Sequence, residues 1–176
     1  MKNITVYCGS NTGKDPEYKK IAQDLGKWLA HNNIGLVYGG GHIGLMGVIA
    51  NSVLDNGGKV TGIIPTLLVE KEIAHKSLSA LHIVKDMTER KVKLMELGDA
   101  YIALPGGPGT IEEISEAISA ARLNLHKKPC IMMNIHGYYD DFLSQYDLMV
   151  KEGFLLDEHR DLVKDAASID DLDRFL

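Results

Sequence analysis

The residues best suited to chemistry fall in one run, Pro105-Gly106-Gly107-Pro108-Gly109-Thr110-Ile111-Glu112-Glu113. Its glycines leave backbone amides uncovered, and bare amides at the start of a helix attract anions such as phosphate. Thr110 is placed to cap the following helix and to offer its hydroxyl to the same anion. At about 100° per residue, Glu113 lies at the border of the apolar stripe Ile111, Ile114, Ile118, Ala121, whereas Glu116 points away from it toward solvent. A carboxylate at that border, under a glycine loop, is positioned to face a pocket. A plainer reading stands beside this one: Thr110-x-x-Glu113 also spells a capping box, in which Glu113 only reaches back to the Thr110 amide.

A second glycine cluster, Gly39-Gly40-Gly41-His42-Ile43-Gly44, matches G-x-G-x-x-G. In dinucleotide-binding proteins that pattern follows the first strand, and an acid about 20 residues on holds a ribose. Here it follows the second strand, and the next one ends Gly62-Ile63-Ile64-Pro65 without a carboxylate, which counts against NAD. A phosphate or ribose cradle and a tight turn with close helix–strand packing both remain open. Arg90-Lys91 lies on a helix opened by Met87 and projects two cations to different sides. Most such pairs are a solvated face that contributes little to folding. His42, His75, His82 and His126 are scattered without ligand spacing, so packing or surface roles are expected and no metal site.

Short β-branched runs alternate with helical patterns. The runs are Ile4 to Cys8, Ile34 to Tyr38, Val60 to Ile64, Leu81 to Val84, Ala100 to Leu104 and Cys130 to Ile135. Apolar residues spaced by three and four recur between them, as at Ile21, Leu25, Trp28, Leu29 and at Leu45, Val48, Ile49, Val53. Near-continuous apolar strands alternating with amphipathic helices specify a parallel sheet covered on both faces. The expected fold is a doubly wound, Rossmann-like α/β domain spanning 1–176 as one nucleotide-binding unit. Both glycine clusters then sit at the carboxyl edge of the sheet, where such folds bind ligands. The stretch from Glu70 to Ser79 reads as a loop over the site, and Ser168 opens a capped terminal helix.

Composition narrows the function classes. The chain has 176 residues, 45% of them hydrophobic, and a net charge of -5. Its longest basic run is His126-Lys127-Lys128, which argues against a nucleic-acid partner held by counterion release. No apolar stretch reaches the roughly 18 residues of a membrane span, and the start lacks the features of a signal peptide. Two cysteines, Cys8 and Cys130, lie in apolar runs and read as small buried hydrophobes in a reducing compartment, the cytoplasm.

Taken together, these motifs resemble the Lonely Guy family of cytokinin riboside 5'-monophosphate phosphoribohydrolases, long labelled "lysine decarboxylase-like". The likeness rests on Arg90-Lys91 followed by Pro105-Gly106-Gly107-Pro108-Gly109-Thr110-x-x-Glu113, on Cys8-Gly9-Ser10, and on Tyr38-Gly39-Gly40-Gly41-x-x-Gly44-Leu45-Met46-Gly47. His126-Lys127-Lys128-Pro129 and Asn134-x-x-Gly137-Tyr138-Tyr139 extend it to nearly the whole chain. The resemblance implies Arg90 and Glu113 as the catalytic pair. It implies substrate contacts at Ser10, Gly41, Glu72, Arg90, Lys91, Gly107, Pro108, Gly109, Thr110, Ile111, Glu112, Glu113 and Ser119. It also implies a small-molecule nucleotide substrate, no cofactor, and a homodimer with sites near the interface. Two departures bear on the base pocket: Pro108 stands where the family has an aromatic residue, and Ala120-Ala121-Arg122-Leu123-Asn124 replaces a tryptophan-containing stretch. The decarboxylase label fails on chemistry, because pyridoxal phosphate needs a Schiff-base lysine and none is singled out. The alternative is a non-enzymatic nucleotide or molybdenum-cofactor carrier on the same fold.

Overall fold

The computed structural model describes residues 2–69, 71 and 74–176. Seven strands form one sheet: β1 (Asn3–Tyr7), β2 (Gly35–Tyr38), β3 (Val60–Pro65), β4 (Ala80–Val84), β5 (Ala100–Ala103), β6 (Cys130–Met133) and β7 (Val163–Ala166). Their order is β4-β3-β2-β1-β5-β6-β7, and every pairing is parallel. β1 pairs with β2 at Asn3↔Gly35 and with β5 at Ile4↔Ala100. The strand order therefore reverses between β1 and β5, which opens a crevice at their carboxyl ends.

Alternation along each strand feeds two cores. Ile4, Val6, Leu36, Ile102 and Ile131 face α1 (Pro16–His31), α2 (Gly44–Asp55) and the terminal turn Ile169–Arg174. Tyr7, Val37, Ile63, Tyr101 and Met132 face the other side. That side is covered by α4 (Met87–Leu97), α5 (Pro108–Arg122) and α6 (Asp140–Lys151). Two four-residue helices, α3 (Thr66–Val69) and α7 (Asp157–Arg160), complete the set. The fold is the expected doubly wound sheet. β7 was not foreseen, since Val163-Lys164-Asp165-Ala166 is short and half polar, as an edge strand tolerates. The terminal helix is a 3-10 turn with a true capping box between Ser168 and Asp171. Among the described residues no helix is long and apolar enough to cross a membrane.

Of the expected loop from Glu70 to Ser79, residues Glu70, Glu72 and Ile73 lie outside the described ones. Of the rest, Ala74 and His75 fold onto the second glycine cluster: Ala74 bridges Gly41, and the His75 amide donates to the Gly40 carbonyl at 3.1 Å. The start of α2 is packed just as closely. Gly44 has φ +60°, and a Cβ there would collide with the backbone of Ser10.

Gly57 provides an internal comparison, with φ +77° but open space around its missing Cβ. Gly57→Ala should cost only the left-handed conformation, about 1–2 kcal/mol. Gly44→Ala should cost clearly more in urea unfolding. Equal losses would mean that the Ser10 backbone yields easily.

Candidate active site

The crevice between β1 and β5 is lined by Tyr7, Cys8, Gly9 and Ser10 from the end of β1 and by Gly39 and Met46 from the β2–α2 segment. Met87, Arg90 and Lys91 of α4 and the Gly107–Thr110 turn with Glu112 and Glu113 of α5 close it. Asp86 caps α4, its carboxylate accepting from the Glu89 amide at 2.9 Å. One turn in, Arg90 is only 6% exposed. Its Nε donates to the Ile63 carbonyl at 3.2 Å and its Nη2 to the Gly39 carbonyl at 3.1 Å. A buried cation is tolerated only when hydrogen-bonded, and the guanidinium plane serves two carbonyls at once. The solvated reading of Arg90 is thereby overturned.

Arg90 also explains the second glycine cluster. A Cβ on Gly39 would run into Arg90 Nη2, and one on Gly47 would run into the His42 carbonyl. Gly41 is buried, accepts the Tyr38 hydroxyl at 3.0 Å, and lies outside the pocket lining. Of the two readings left open for this cluster, close packing is the one these contacts express.

The loop after β5 differs from expectation in where its helix starts. Gly107, three positions before Thr110, is the N-cap residue, and Pro108 is the first helical residue. Thr110 is 4% exposed within the first turn, its hydroxyl where a Cβ on Gly106 would stand, so it caps nothing and no capping box with Glu113 forms. Cβ positions at Gly107 and Gly109 face open space. The amides of Gly107 and Gly109 stand at the N-terminus of α5, where the helix itself supplies no acceptor. These are the unsatisfied first-turn donors that make a helix N-terminus an anion site.

Glu113 is half-buried and lines the pocket with Arg90. Burial first, and then the Glu113 carboxylate, push the Tyr7 phenol and the Cys8 thiol far above their ordinary values, while Arg90 pulls Cys8 back down. Lys91 turns the other way from Arg90. Its Nζ stands 3.0 Å from Glu112 Oε1 and 3.1 Å from Glu116 Oε2, tying α4 to α5. Hydrogen bonds to Glu112 and then Glu116 raise its pKa. Glu116 is thus an ion-pair partner rather than a carboxylate left to solvent.

A family model described as "Possible lysine decarboxylase" matches residues 46–174. The chain is 43% identical to the cytokinin riboside 5'-monophosphate phosphoribohydrolase LOG of Oryza sativa subsp. japonica, over 98% of this chain and 71% of that protein. It is 45% identical to the enzyme of the same name from Rhodococcoides fascians, over 88% of this chain and 78% of that one. The chain belongs to the Lonely Guy family. A molybdenum-cofactor carrier protein from Chlamydomonas reinhardtii superposes with a TM-score of 0.73 at 19% identity, covering 99% of this chain and 96% of that one, which is a likeness of fold.

Measured against the Lonely Guy pattern, the pocket brings together Ser10, Arg90, Lys91, Gly107, Pro108, Gly109, Thr110, Glu112 and Glu113. It does not include Gly41, Ile111 or Ser119: Ile111 packs toward the core, and Ser119 is exposed further along α5. Glu72 lies outside the described residues. Of the Gly39–Gly41 loop, which the resemblance also places at the pocket, Gly39 lines it; Val6, Tyr7, Gly9, Met46 and Met87 join the lining without having been singled out as contacts, and Cys8 is part of the wall rather than fully buried. Their signal was the sheet order, which no residue pattern states. Pro108 suits its place, since its fixed φ fits the first helical position. The Ala120–Asn124 stretch lies outside the pocket lining. Lys91 is the pocket's lysine among the described residues. A raised pKa is the opposite of what a Schiff-base amine needs.

Replacing Arg90 by Lys leaves one ammonium for two carbonyls. Unfolding free energy should fall by about 1–3 kcal/mol, and Gly39→Ala should shift it in the same direction by evicting the guanidinium. Denaturant titration checks both, and no change in either would mean the guanidinium is not held where it lies.

Proposed function

We propose that this protein hydrolyses the N-glycosidic bond of purine nucleoside 5'-monophosphates, cytokinin-type nucleotides or AMP, to free base and ribose 5-phosphate. The supporting observation is the meeting of Arg90 and Glu113 in one pocket beside the uncovered amides of α5. The names of the relatives agree with it.

Cleavage of the bond from C1' to the base nitrogen leaves an oxocarbenium-like sugar, with the electron pair departing on the base. The Glu113 carboxylate stabilises that positive charge and orients the attacking water or takes its proton. Arg90, fixed by its two carbonyl contacts, presents its remaining surface to a ribose hydroxyl or the phosphate. The Gly107 and Gly109 amides, the α5 dipole and the Ser10 hydroxyl receive the 5'-phosphate, and binding energy gained there orients the ribose. Lys91, already claimed by two carboxylates, acts through the charge balance of the pocket rather than as a dedicated phosphate ligand.

The protein acts as a homodimer with its sites near the interface. Supporting this, Ile83, Met87 and Val92 expose apolar side chains on β4 and α4, and Met87 also lines the pocket. Cytoplasmic placement accords with two free cysteines, Cys8 and Cys130.

Glu113→Gln removes charge and keeps shape, so nucleotide binding and fold should persist while kcat falls by about 100-fold or more. Near-normal kcat in a folded variant would leave Glu113 without a catalytic role. A panel of nucleoside monophosphates, with and without an N6-isopentenyl group, assayed for base release sets the substrate. Adenosine should be far poorer than AMP, and equal kcat/KM for the two would contradict the phosphate site.

A further inference from the structure

The motif Asn134-x-x-Gly137-Tyr138-Tyr139 takes no part in the chemistry above, yet its two phenols reach the anion-binding loop. After β6 the chain reverses through His136 and Gly137, both with positive φ. A Cβ on Gly137 would stand 2.5 Å from Asp140 Oδ2. Asn134 locks the turn, its amide nitrogen donating to Asp140 Oδ1 and its oxygen accepting the Tyr139 amide, both at 2.7 Å. The turn aims both tyrosines back at the end of β5. The Tyr139 hydroxyl, buried, donates to the Leu104 carbonyl at 2.7 Å, and the Tyr138 hydroxyl donates to the Gly106 carbonyl at 2.6 Å. Between them the Pro105 carbonyl accepts the Gly9 amide at 3.2 Å. Three successive carbonyls are thus held from two sides, two by the adjacent tyrosines of this turn and one by the segment after β1.

The consequence lies on the other side of the peptide. A trans peptide is planar, with its carbonyl and N–H pointing in opposite directions. Holding the Gly106 carbonyl against Tyr138, which stands outside the lining of the Arg90 pocket, turns the Gly107 N–H away from Tyr138. Glycine on both sides of this peptide lowers the steric barrier to flipping it, so the hydrogen bond to its carbonyl matters for its direction. We propose that Tyr138 is a positioning residue for phosphate recognition, fixing the Gly106–Gly107 peptide so that its amide faces the anion. This rests on the phosphate site proposed above. Tyr139 secures the strand end from which the loop departs.

Tyr138→Phe in the full chain removes one oxygen from a partly exposed ring and tests this. Calorimetry should show inorganic phosphate and ribose 5-phosphate binding about five- to tenfold more weakly. KM for AMP or N6-isopentenyl-AMP should rise by a similar factor while kcat stays within about twofold, and the midpoint of thermal unfolding should hold. Unchanged phosphate affinity and KM would overturn the proposal. So would a loss of kcat that tracks a lowered unfolding midpoint, the mark of a merely structural tyrosine. In a wild-type protein inert toward nucleotides, weakened phosphate binding in the variant would still support it, so the two proposals fail separately.

Discussion

Much of this structure is arranged around one buried guanidinium. Arg90 leaves α4, crosses over the carboxyl ends of β3 and β2, and satisfies itself on the Ile63 and Gly39 carbonyls. Removing such a charge from water costs several kcal/mol even after relaxation, so its partners must be correctly placed. The register of β2 against β3, Tyr38 opposite Gly62, brings the two carbonyls within one guanidinium's span. The Asp86 cap fixes the helix from which Arg90 reaches. Gly39 cannot carry a side chain because the guanidinium fills that space. Strand register, helix cap and glycine are constraints of a single interaction, and its result is a cation presented to the crevice with little freedom to move.

The crevice itself follows from topology. Strand order reverses between β1 and β5, so the connections leaving their ends diverge, one toward α1 and the other into α5. Each face of the opening supplies a different kind of group. β1 ends in small residues, Cys8, Gly9 and Ser10, which keep the wall low, while α5 begins on glycine and proline with its amides unspent. Lys91 closes the outer side by holding Glu112 and Glu116, so that α4 and α5 splay from the sheet at a fixed separation.

The sequence carried the fold clearly because parallel strands buried on both faces read as apolar runs. Only β7 escaped, its Lys164 and Asp165 being affordable at an edge. The site was less readable, for reasons specific to each residue. The start of α5 was set three residues late because Thr110 is an attractive cap; Pro108 at the first helical position was the better signal. Glu116 looked solvent-bound because helix periodicity describes only its own helix, and its partner Lys91 lies on another. Arg90 looked like a surface cation for the same reason: the carbonyls that hold it come from residues 27 and 51 positions away. Side-chain periodicity cannot report backbone acceptors brought in by tertiary structure.

Charge balance explains why neutral donors matter so much here. Around the crevice Arg90 and Lys91 stand against Glu112, Glu113 and Glu116, so the carboxylates outnumber the cations. A dianionic phosphate entering beside Glu113 meets no surplus positive charge. Under the proposed function, a further lysine would attract the phosphate but also add a cation beside the oxocarbenium that Glu113 has to stabilise. Backbone amides at a helix start avoid that conflict: they bind anions through aligned partial charges that fade within about one turn of the terminus. Under the proposed function, phosphate is held at one end of the pocket while the Glu113 carboxylate serves the sugar at the other. On that reading the separation depends on amide direction, and the contacts of Tyr138, Tyr139 and Gly9 behind the loop are what would set it.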